Sequence, residues 1–353
     1  MDKIKAYGYF LTAPGKPLER RDFTIDHLKP DQVAVEVAGC GLCHTDLAFI
    51  SGDVRTKHDL PLVLGHEISG TVLAAGSDFK GKLGTEVIVP AVLPCSECEL
   101  CLAGRDNICR HQEMPGNDFN GGFASHVVVP GRLLCLLPDD LAGFDLAQLS
   151  VIADAITTPY QAMVRSGLKA GDLAIVIGTG GVGIYMVQHA KNAGATVIAI
   201  DINKARLSVA EKQGADFIIC SKEKDEREVK KAVRALVKEA GLPGVQWKVF
   251  EASGSAAGQS AAYALMSFAG SVSIIGFTME KISLRLSNVM AFDASLFGNW
   301  GCSPSHYPAV VEDVLIQKIN LLDNIETHPL DEINGLVKLA FEHKLERRAI
   351  LVP

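Results

Sequence analysis

Four cysteines stand within fifteen residues, as Cys95-x2-Cys98-x2-Cys101-x7-Cys109. Four thiolates so spaced can close a tetrahedral, all-sulfur zinc site, and a site with no open coordination position is structural rather than catalytic. Pro94 and Gly104 permit the tight loop that this requires. A disulfide pair, an iron–sulfur cluster and a zinc module for nucleic acid are the alternatives. Nine cysteines in all leave one without an intrachain partner. A formal net charge of -7 speaks against nucleic acid and against an acidic membrane surface.

A second set of ligand-type residues is spread along the chain. Gly41-Leu-Cys43-His-Thr45-Asp46 supplies a thiol, Gly65-His66-Glu67 an imidazole with a neighbouring acid, and Asp154 a distant carboxylate. One cysteine, one histidine and one or two carboxylates around zinc leave a position for water or a substrate oxygen. Taken singly, Cys43 reads equally as a buried free thiol, His66 as a turn residue and Glu67 as a solvated acid; the combination is what carries weight.

The third signal is Gly178-Thr-Gly-Gly-Val-Gly183, a G-x-G-x-x-G run. It follows the apolar run Leu173–Ile177 and opens a helical pattern, the context in which such a loop brings a pyrophosphate to a helix N-terminus. Asp201 lies 18 residues past Gly183, at the end of the next apolar run. An acid there accepts hydrogen bonds from ribose hydroxyls and repels a 2′-phosphate, which predicts NAD over NADP.

These residues need scaffolds. A chain of 353 residues with 48% hydrophobic and 21% charged residues fits a globular protein of two domains. Residues 1–155 show short β-rich runs, Val33–Val37, Gly70–Ala74, Glu86–Val89 and Ser125–Val129, punctuated by Gly, Pro and Asp. This predicts an irregular β domain whose unusual residues sit on loops. From 156 to 297 strands and helices alternate: Leu173–Ile177, Thr196–Ile200, Phe217–Cys220, Trp247–Phe250 and Ser271–Ile275, with helices near 182–193, 225–240 and 256–268. Alternation predicts a parallel, doubly wound sheet with right-handed crossovers. Residues 298–353, with a helical stretch near Leu330–His343 and a closing run Ala349–Val352, are expected to return to the first domain. The opening MDKIKAYGYF has no apolar core segment, so no secretory leader is read and a cytoplasmic protein is expected.

In this order, the GLCHTDL and GHE segments, the four-cysteine lobe, GTGGVG and Asp201 resemble the zinc-dependent medium-chain alcohol dehydrogenases over essentially the whole chain. The resemblance implies a GroES-like catalytic domain, a Rossmann NAD domain and two zinc ions. It implies Cys43, His66 and Asp154 as ligands of the catalytic zinc, with Glu67 able to approach it and Asp46 orienting the histidine. At Asp154 many family members have cysteine and some have aspartate. Thr45 resembles the residue that takes the alcohol proton. His44 and Arg348 resemble residues on the cofactor pyrophosphate, and Arg206 the basic residue beside the adenosine ribose. Gly178, Gly180, Gly181, Val182 and Gly183 form the cofactor loop. Ala48 departs from the pattern, because many members carry a relay histidine there.

Several runs, among them PLVLGHEISG, CELCLAGRDNIC and MPGNDFNGGFASH, resemble a subgroup that oxidises a cyclic allylic alcohol carried as a CoA thioester, in anaerobic degradation of aromatic compounds. Its enone product would also be open to hydration. A CoA ester calls for a basic mouth, for which Arg55, Lys57 and His58 are candidates, and a merely solvated loop is the alternative. Asn299 and Trp300 are candidate pocket residues, Trp300 equally a core residue. The resemblance implies a homo-oligomer, dimer or tetramer, with Ser271–Ile275 near the sheet edge as a contact. Three rivals stand beside this: the same fold acting on an aromatic or short-chain alcohol, a zinc-free enoyl reductase, and a non-catalytic NAD-binding zinc protein.

Overall fold

The computed structural model describes residues 3–353, so Met1 and Asp2 of the opening run lie outside the described residues. The chain forms two compact units. The first comprises residues 1–157, 301–317 and 321–353, and the second residues 158–300 and 318–320.

Eight strands make the body of the first unit: β1 (Ile4–Leu11), β2 (Glu19–Ile25), β3 (Gln32–Gly41), β4 (Leu62–Val63), β5 (Glu67–Ala75), β6 (Glu86–Val89), β7 (His126–Pro130) and β8 (Cys135–Leu136). β1 pairs antiparallel with both β2 and β4. β3 pairs antiparallel with β5 and β7, and β5 continues through β6 to β8. Val33, Val35, Ile68, Val72, Val87 and Val89 are fully buried in its core. At roughly 25 cal/mol per Å² of apolar surface, such aliphatic side chains each contribute about 1.5–3 kcal/mol.

The second unit holds six parallel strands: β9 (Leu173–Ile177), β10 (Thr196–Asp201), β11 (Phe217–Cys220), β12 (Lys248–Glu251), β13 (Ser271–Ile274) and β14 (Ser295–Gly298), in the order β11-β10-β9-β12-β13-β14. The strand order reverses between β9 and β12, the kind of point at which open α/β sheets bind ligands. β9 is buried along its whole length, as a strand covered on both faces must be. β13, which covers the run expected near the sheet edge, lies one strand inside it. The edge is β14, a short strand whose partly exposed residues give no apolar run to read. Among the described residues no helix is long and apolar enough to cross a membrane.

Two further strands come from the tail, β15 (Ile325–Pro329) and β16 (Arg348–Val352). β16 pairs parallel with β15 and antiparallel with β3, Ile350 opposite Gly41. Thus the last residues of the chain lie beside the segment that leads into Cys43.

Five of the six strands of the second unit are entered through one device, a left-handed residue two positions before the strand. Glycine fills it before β9 and β10, at Gly171 and Gly194, whereas Gln246, Ala269 and Asp293 fill it before β12, β13 and β14 with φ of 60°, 51° and 48°. Neighbouring turns are tied together, Ala269 N–H donating to the Phe292 carbonyl at 2.8 Å. A Cβ in this region costs roughly 1–2 kcal/mol, and Ala269 is exposed, so its methyl group has little packing to lose. Ala269→Gly is therefore expected to stabilise the protein by about 0.5–1 kcal/mol. A denaturant midpoint that falls or stays put would contradict this account of the turn.

Candidate functional site

The distributed ligand set is assembled by strand register and one short helix. Cys43 is the N-cap of the helix His44–Ser51, so Thr45 and Asp46 lie on its first turn rather than in a loop. Asp46 Oδ2 accepts the Cys43 backbone N–H at 3.0 Å, and Oδ1 accepts the Gly65 backbone N–H at 3.1 Å. The same Oδ1 lies 3.5 Å from His66 Nδ1. One carboxylate thus caps the helix, ties down the Gly65 turn and faces the imidazole. His66 Nε2 points the other way, 3.6 Å from Asp154 Oδ2, and Cys43 Sγ lies 3.8 Å from that oxygen. Asp154 follows the 3-10 stretch Leu146–Ala153.

Cys43, His66, Glu67 and Asp154 each offer one ligand atom, all within 4.8 Å of one another. The donors fit zinc. With bonds of ~2.3 Å to sulfur and ~2.0–2.2 Å to nitrogen and oxygen, tetrahedral sulfur–oxygen and nitrogen–oxygen edges would be about 3.6 and 3.4 Å. The observed 3.8 and 3.6 Å are those edges slightly expanded. His66 is fully buried. Burial alone disfavours its charged form, but Asp46, Asp154 and Cys43 outweigh that and hold its pKa well above the usual histidine value. The pocket is thus strongly negative, and the field that draws a proton to the imidazole also favours a divalent cation.

Glu67 and Arg348 form the outer wall. In the β3–β5 register Gly41 faces Glu67, and a Cβ on Gly41 would lie 2.0 Å from Glu67 Oε2, so only glycine fits. Arg348, 281 residues away, donates from Nε to that oxygen at 2.7 Å and from Nη2 to Oε1. Burial pushes the Glu67 carboxyl up, and Arg348 opposes this. Arg348, expected on the cofactor pyrophosphate, is therefore engaged with the acid beside the metal ligands. No local pattern signals this pair, because strand pairing alone brings it together.

The four-cysteine lobe closes as its spacing predicts. Sulfur–sulfur distances are 3.4 Å for Cys95–Cys109, 3.6 Å for Cys98–Cys101, 3.7 Å for Cys98–Cys109 and 3.9 Å for Cys95–Cys101. Disulfide bonds would bring sulfurs to ~2.0 Å, whereas a tetrahedron with ~2.3 Å zinc–sulfur bonds has edges of about 3.8 Å. All four are free thiols. Backbone N–H groups of Cys101 and Leu100, with help from the Cys101 and Cys109 side chains, pull Cys98 down to about 6, so one ligand is readily a thiolate.

In the second unit the Gly178–Gly183 loop joins β9 to the helix Gly183–Asn192, whose N-cap is Val182. Asp201 ends β10. Its Oδ2 accepts the Thr179 backbone N–H at 2.7 Å and the Thr179 hydroxyl at 3.0 Å, and Oδ1 accepts the Asn203 N–H at 2.8 Å. A carboxylate has further lone pairs, so these bonds leave it able to accept more. A Cβ on Gly180 would lie 3.6 Å from Arg206 Nη1, which places that guanidinium beside Gly180 of the loop. His44 is exposed, and Trp300, at 52% exposure, is not a core residue. Of the three basic candidates, Lys57 is paired with Asp118 at 3.0 Å, while Arg55 and His58 are exposed.

Sequence reasoning missed Glu251, at the end of β12 beside the loop strand. It is fully buried, its Oε1 accepts the Ser253 N–H at 2.8 Å and the Ser253 hydroxyl at 2.5 Å, and its Oε2 has no hydrogen-bond partner among the described residues. Ser253 in turn packs on Gly178, where a Cβ would come within 2.6 Å of it. An acid ending an apolar strand was a visible signal, but only the fold shows it turned inward.

The family of alcohol dehydrogenase GroES-like domains matches residues 29–139, and the zinc-binding dehydrogenase family matches residues 181–315. The chain belongs to the zinc-dependent medium-chain alcohol dehydrogenases. It is 29% identical to an alcohol dehydrogenase of Geobacillus stearothermophilus over 338 residues, 95% of this chain and 96% of that one. It is 29% identical to the D-arabitol-phosphate dehydrogenase of Enterococcus avium over 317 residues, 88% and 87% of the two chains. The crystal structure of a Sinorhizobium meliloti protein described as a zinc-binding dehydrogenase, bound to NADP, superposes with a TM-score of 0.86 at 25% identity, covering 99% and 100% of the chains. This dehydrogenase is therefore an oxidoreductase acting on CH–OH groups. Its ligand clusters imply one catalytic and one structural zinc ion, which excludes the zinc-free reductase.

Two outcomes test these sites. His66→Ala is expected to lose one of two zinc ions together with turnover, while Cys98→Ala loses the other; metal counting by mass spectrometry separates them, and full activity in His66→Ala without that zinc would refute the assignment. Burial raises the Glu251 pKa above its ordinary 4.5, against the Ser253 hydrogen bonds that lower it. The carboxyl's contribution to stability is complete below about pH 4.5 and is lost as pH rises through its folded-state pKa. Glu251→Gln, which keeps the neutral shape, should melt higher than the parent at pH 8, with the gain shrinking toward pH 4.5. A gain independent of pH would mean that Glu251 is not the group responsible.

Proposed function

We propose that this alcohol dehydrogenase oxidises a cyclic secondary allylic alcohol carried as a CoA thioester, 6-hydroxycyclohex-1-ene-1-carbonyl-CoA, to the 6-oxo compound, with NAD as hydride acceptor. The observation that carries the chemistry is the meeting of Cys43 Sγ, His66 Nε2 and Asp154 Oδ2 around one point. Zinc held by Cys43, His66 and Asp154 would supply Lewis acidity, lowering the pKa of the alcohol hydroxyl. Thr45, whose Oγ1 is 3.8 Å from Cys43 Sγ, would accept the hydroxyl proton. Ala48 cannot continue a proton relay, so release would need water, the cofactor ribose or another group. A nicotinamide cofactor held by the Gly178–Gly183 loop would supply the hydride acceptor for the carbinol carbon.

NAD is favoured by the acid at the end of β10, because Asp201 would repel a 2′-phosphate. Arg206, beside Gly180, is the residue that would favour a phosphate instead, and the Sinorhizobium relative binds NADP. The CoA ester is supported by the runs shared with that subgroup and by Arg55, whose exposed guanidinium is open to a phosphate. A phosphorylated polyol is the second reading, favoured by the likeness to D-arabitol-phosphate dehydrogenase.

Nicotinamide reduction should be compared for the cyclic hydroxy-enoyl-CoA, its free acid, a pentitol phosphate and simple alcohols, each with NAD and with NADP. The expected result is a kcat/KM for the thioester with NAD at least a hundredfold above every other combination. Equal rates with the free acid would remove the CoA requirement, and a preference for NADP would overturn the role given to Asp201.

A further inference from the structure

The aspartate ligand is held by a residue that no short-range pattern connects to it. Tyr307 opens the helix Tyr307–Leu315 and is fully buried. Its hydroxyl donates to the backbone carbonyl of Ala153 and accepts the backbone N–H of Ala91 at 3.2 Å. Thr157, also fully buried, brings its hydroxyl to the Asp154 carbonyl at 3.5 Å and reaches the Tyr307 oxygen as well.

Asp154 needs such help. It lies between the 3-10 stretch Leu146–Ala153 and the helix Thr157–Ser166, with φ -143° and ψ -58°, so no regular element sets its direction. The Ala153 carbonyl, at the end of a buried 3-10 stretch, is one of the acceptors that such an end leaves unpaired. A carboxylate has only two side-chain torsions, so the orientation of the flanking peptides decides where its oxygens fall. Those flanking carbonyls, at Ala153 and Asp154, are the two that the Tyr307 and Thr157 hydroxyls engage.

We propose that Tyr307 is a positioning residue for the catalytic metal: by clamping the Ala153 carbonyl against the Ala91 N–H, its hydroxyl aims the Asp154 carboxylate at the point shared with Cys43 and His66. The proposal rests on the zinc-site reading but not on any choice of substrate. Outer hydrogen-bonding partners of metal ligands commonly change metal affinity by 10–100-fold.

Tyr307→Phe removes one oxygen and keeps the ring. Zinc release from the purified enzyme to a chromogenic chelator should show two equivalents in the parent. In Tyr307→Phe one equivalent is expected to leave about tenfold faster, while the four-cysteine equivalent is unchanged. The visible absorption of cobalt(II) at the catalytic site should shift too. Val314→Ala, on the same helix and fully buried, should lower the melting temperature without moving either readout. Unchanged release and an unchanged cobalt spectrum in Tyr307→Phe would overturn the proposal, as would equally fast release in Val314→Ala. If Tyr307→Phe does not fold, Thr157→Val decides: faster loss of the same equivalent supports the clamp, and parent-like retention refutes it. A parent that binds only one zinc would instead sink the catalytic-site reading itself.

Discussion

Asp46 is the group on which the site depends. It is 1% exposed, and its two oxygens accept the backbone N–H groups of Cys43 and Gly65 while one of them faces the His66 ring. Those contacts fix a thiol and an imidazole that are 23 residues apart in sequence. Charge-assisted bonds to backbone N–H are among the stronger hydrogen bonds, typically about 1.5–3 kcal/mol. A neutral side chain of the same size could cap the helix, but it would not polarise the imidazole toward its ligand nitrogen, Nε2. The helix His44–Ser51 is short and nearly devoid of amphipathic pattern, so this cap and the burial of Leu47, Phe49 and Ile50 hold it rather than propensity.

Charge balance explains why so many acids can be buried together. A zinc dication held between Cys43 and Asp154 would be balanced by its own ligands, and Glu67 is neutralised by Arg348. Asp46 remains, and it is answered by two backbone donors and the imidazole edge. A buried ion pair such as Glu67–Arg348 is rarely a net gain in stability, because desolvation offsets the attraction. Its service here is geometric. The pair locks β16 against the β3–β5 ladder, so the end of the chain is fastened beside Cys43 in one register only.

Much of this was legible in the sequence, for identifiable reasons. The parallel strands were visible because apolar residues run through them: β9, buried along its whole length, occupies Leu173–Ile177, and the edge strand β11, only partly buried, Phe217–Cys220, as read. The cysteine lobe was visible because all its ligands are local. β1 and β2 were missed; β2 is largely exposed and reads as a charged segment, ERRDFTI. The helix carrying Thr45 was missed because its N-cap is a cysteine, not one of the usual capping residues. The cluster of Cys43, His66, Glu67 and Asp154 was recoverable only as a set, since nothing between Glu67 and Asp154 in the sequence measures their distance in space. Tyr307 left no signal at all, and Arg348 was read only through the resemblance and not as the partner of Glu67, because each acts through a contact made across more than 150 residues.

The aspartate at position 154 sharpens that last point. A thiolate presents one large, polarisable atom, and small errors in its placement cost little because zinc–sulfur bonds are long. A carboxylate oxygen binds at ~2.0–2.2 Å against ~2.3 Å for sulfur and offers two competing oxygens, so the same error changes which oxygen binds and at what angle. Exchanging a thiol for a carboxylate therefore moves the demand for accuracy from the ligand atom to the backbone behind it. In this chain that backbone has no helix or strand to define it, and it is bracketed by two buried hydroxyls. The ligand type and the scaffolding around it are consistent with each other only when read together: the harder the ligand, the more of the surrounding fold must be committed to aiming it.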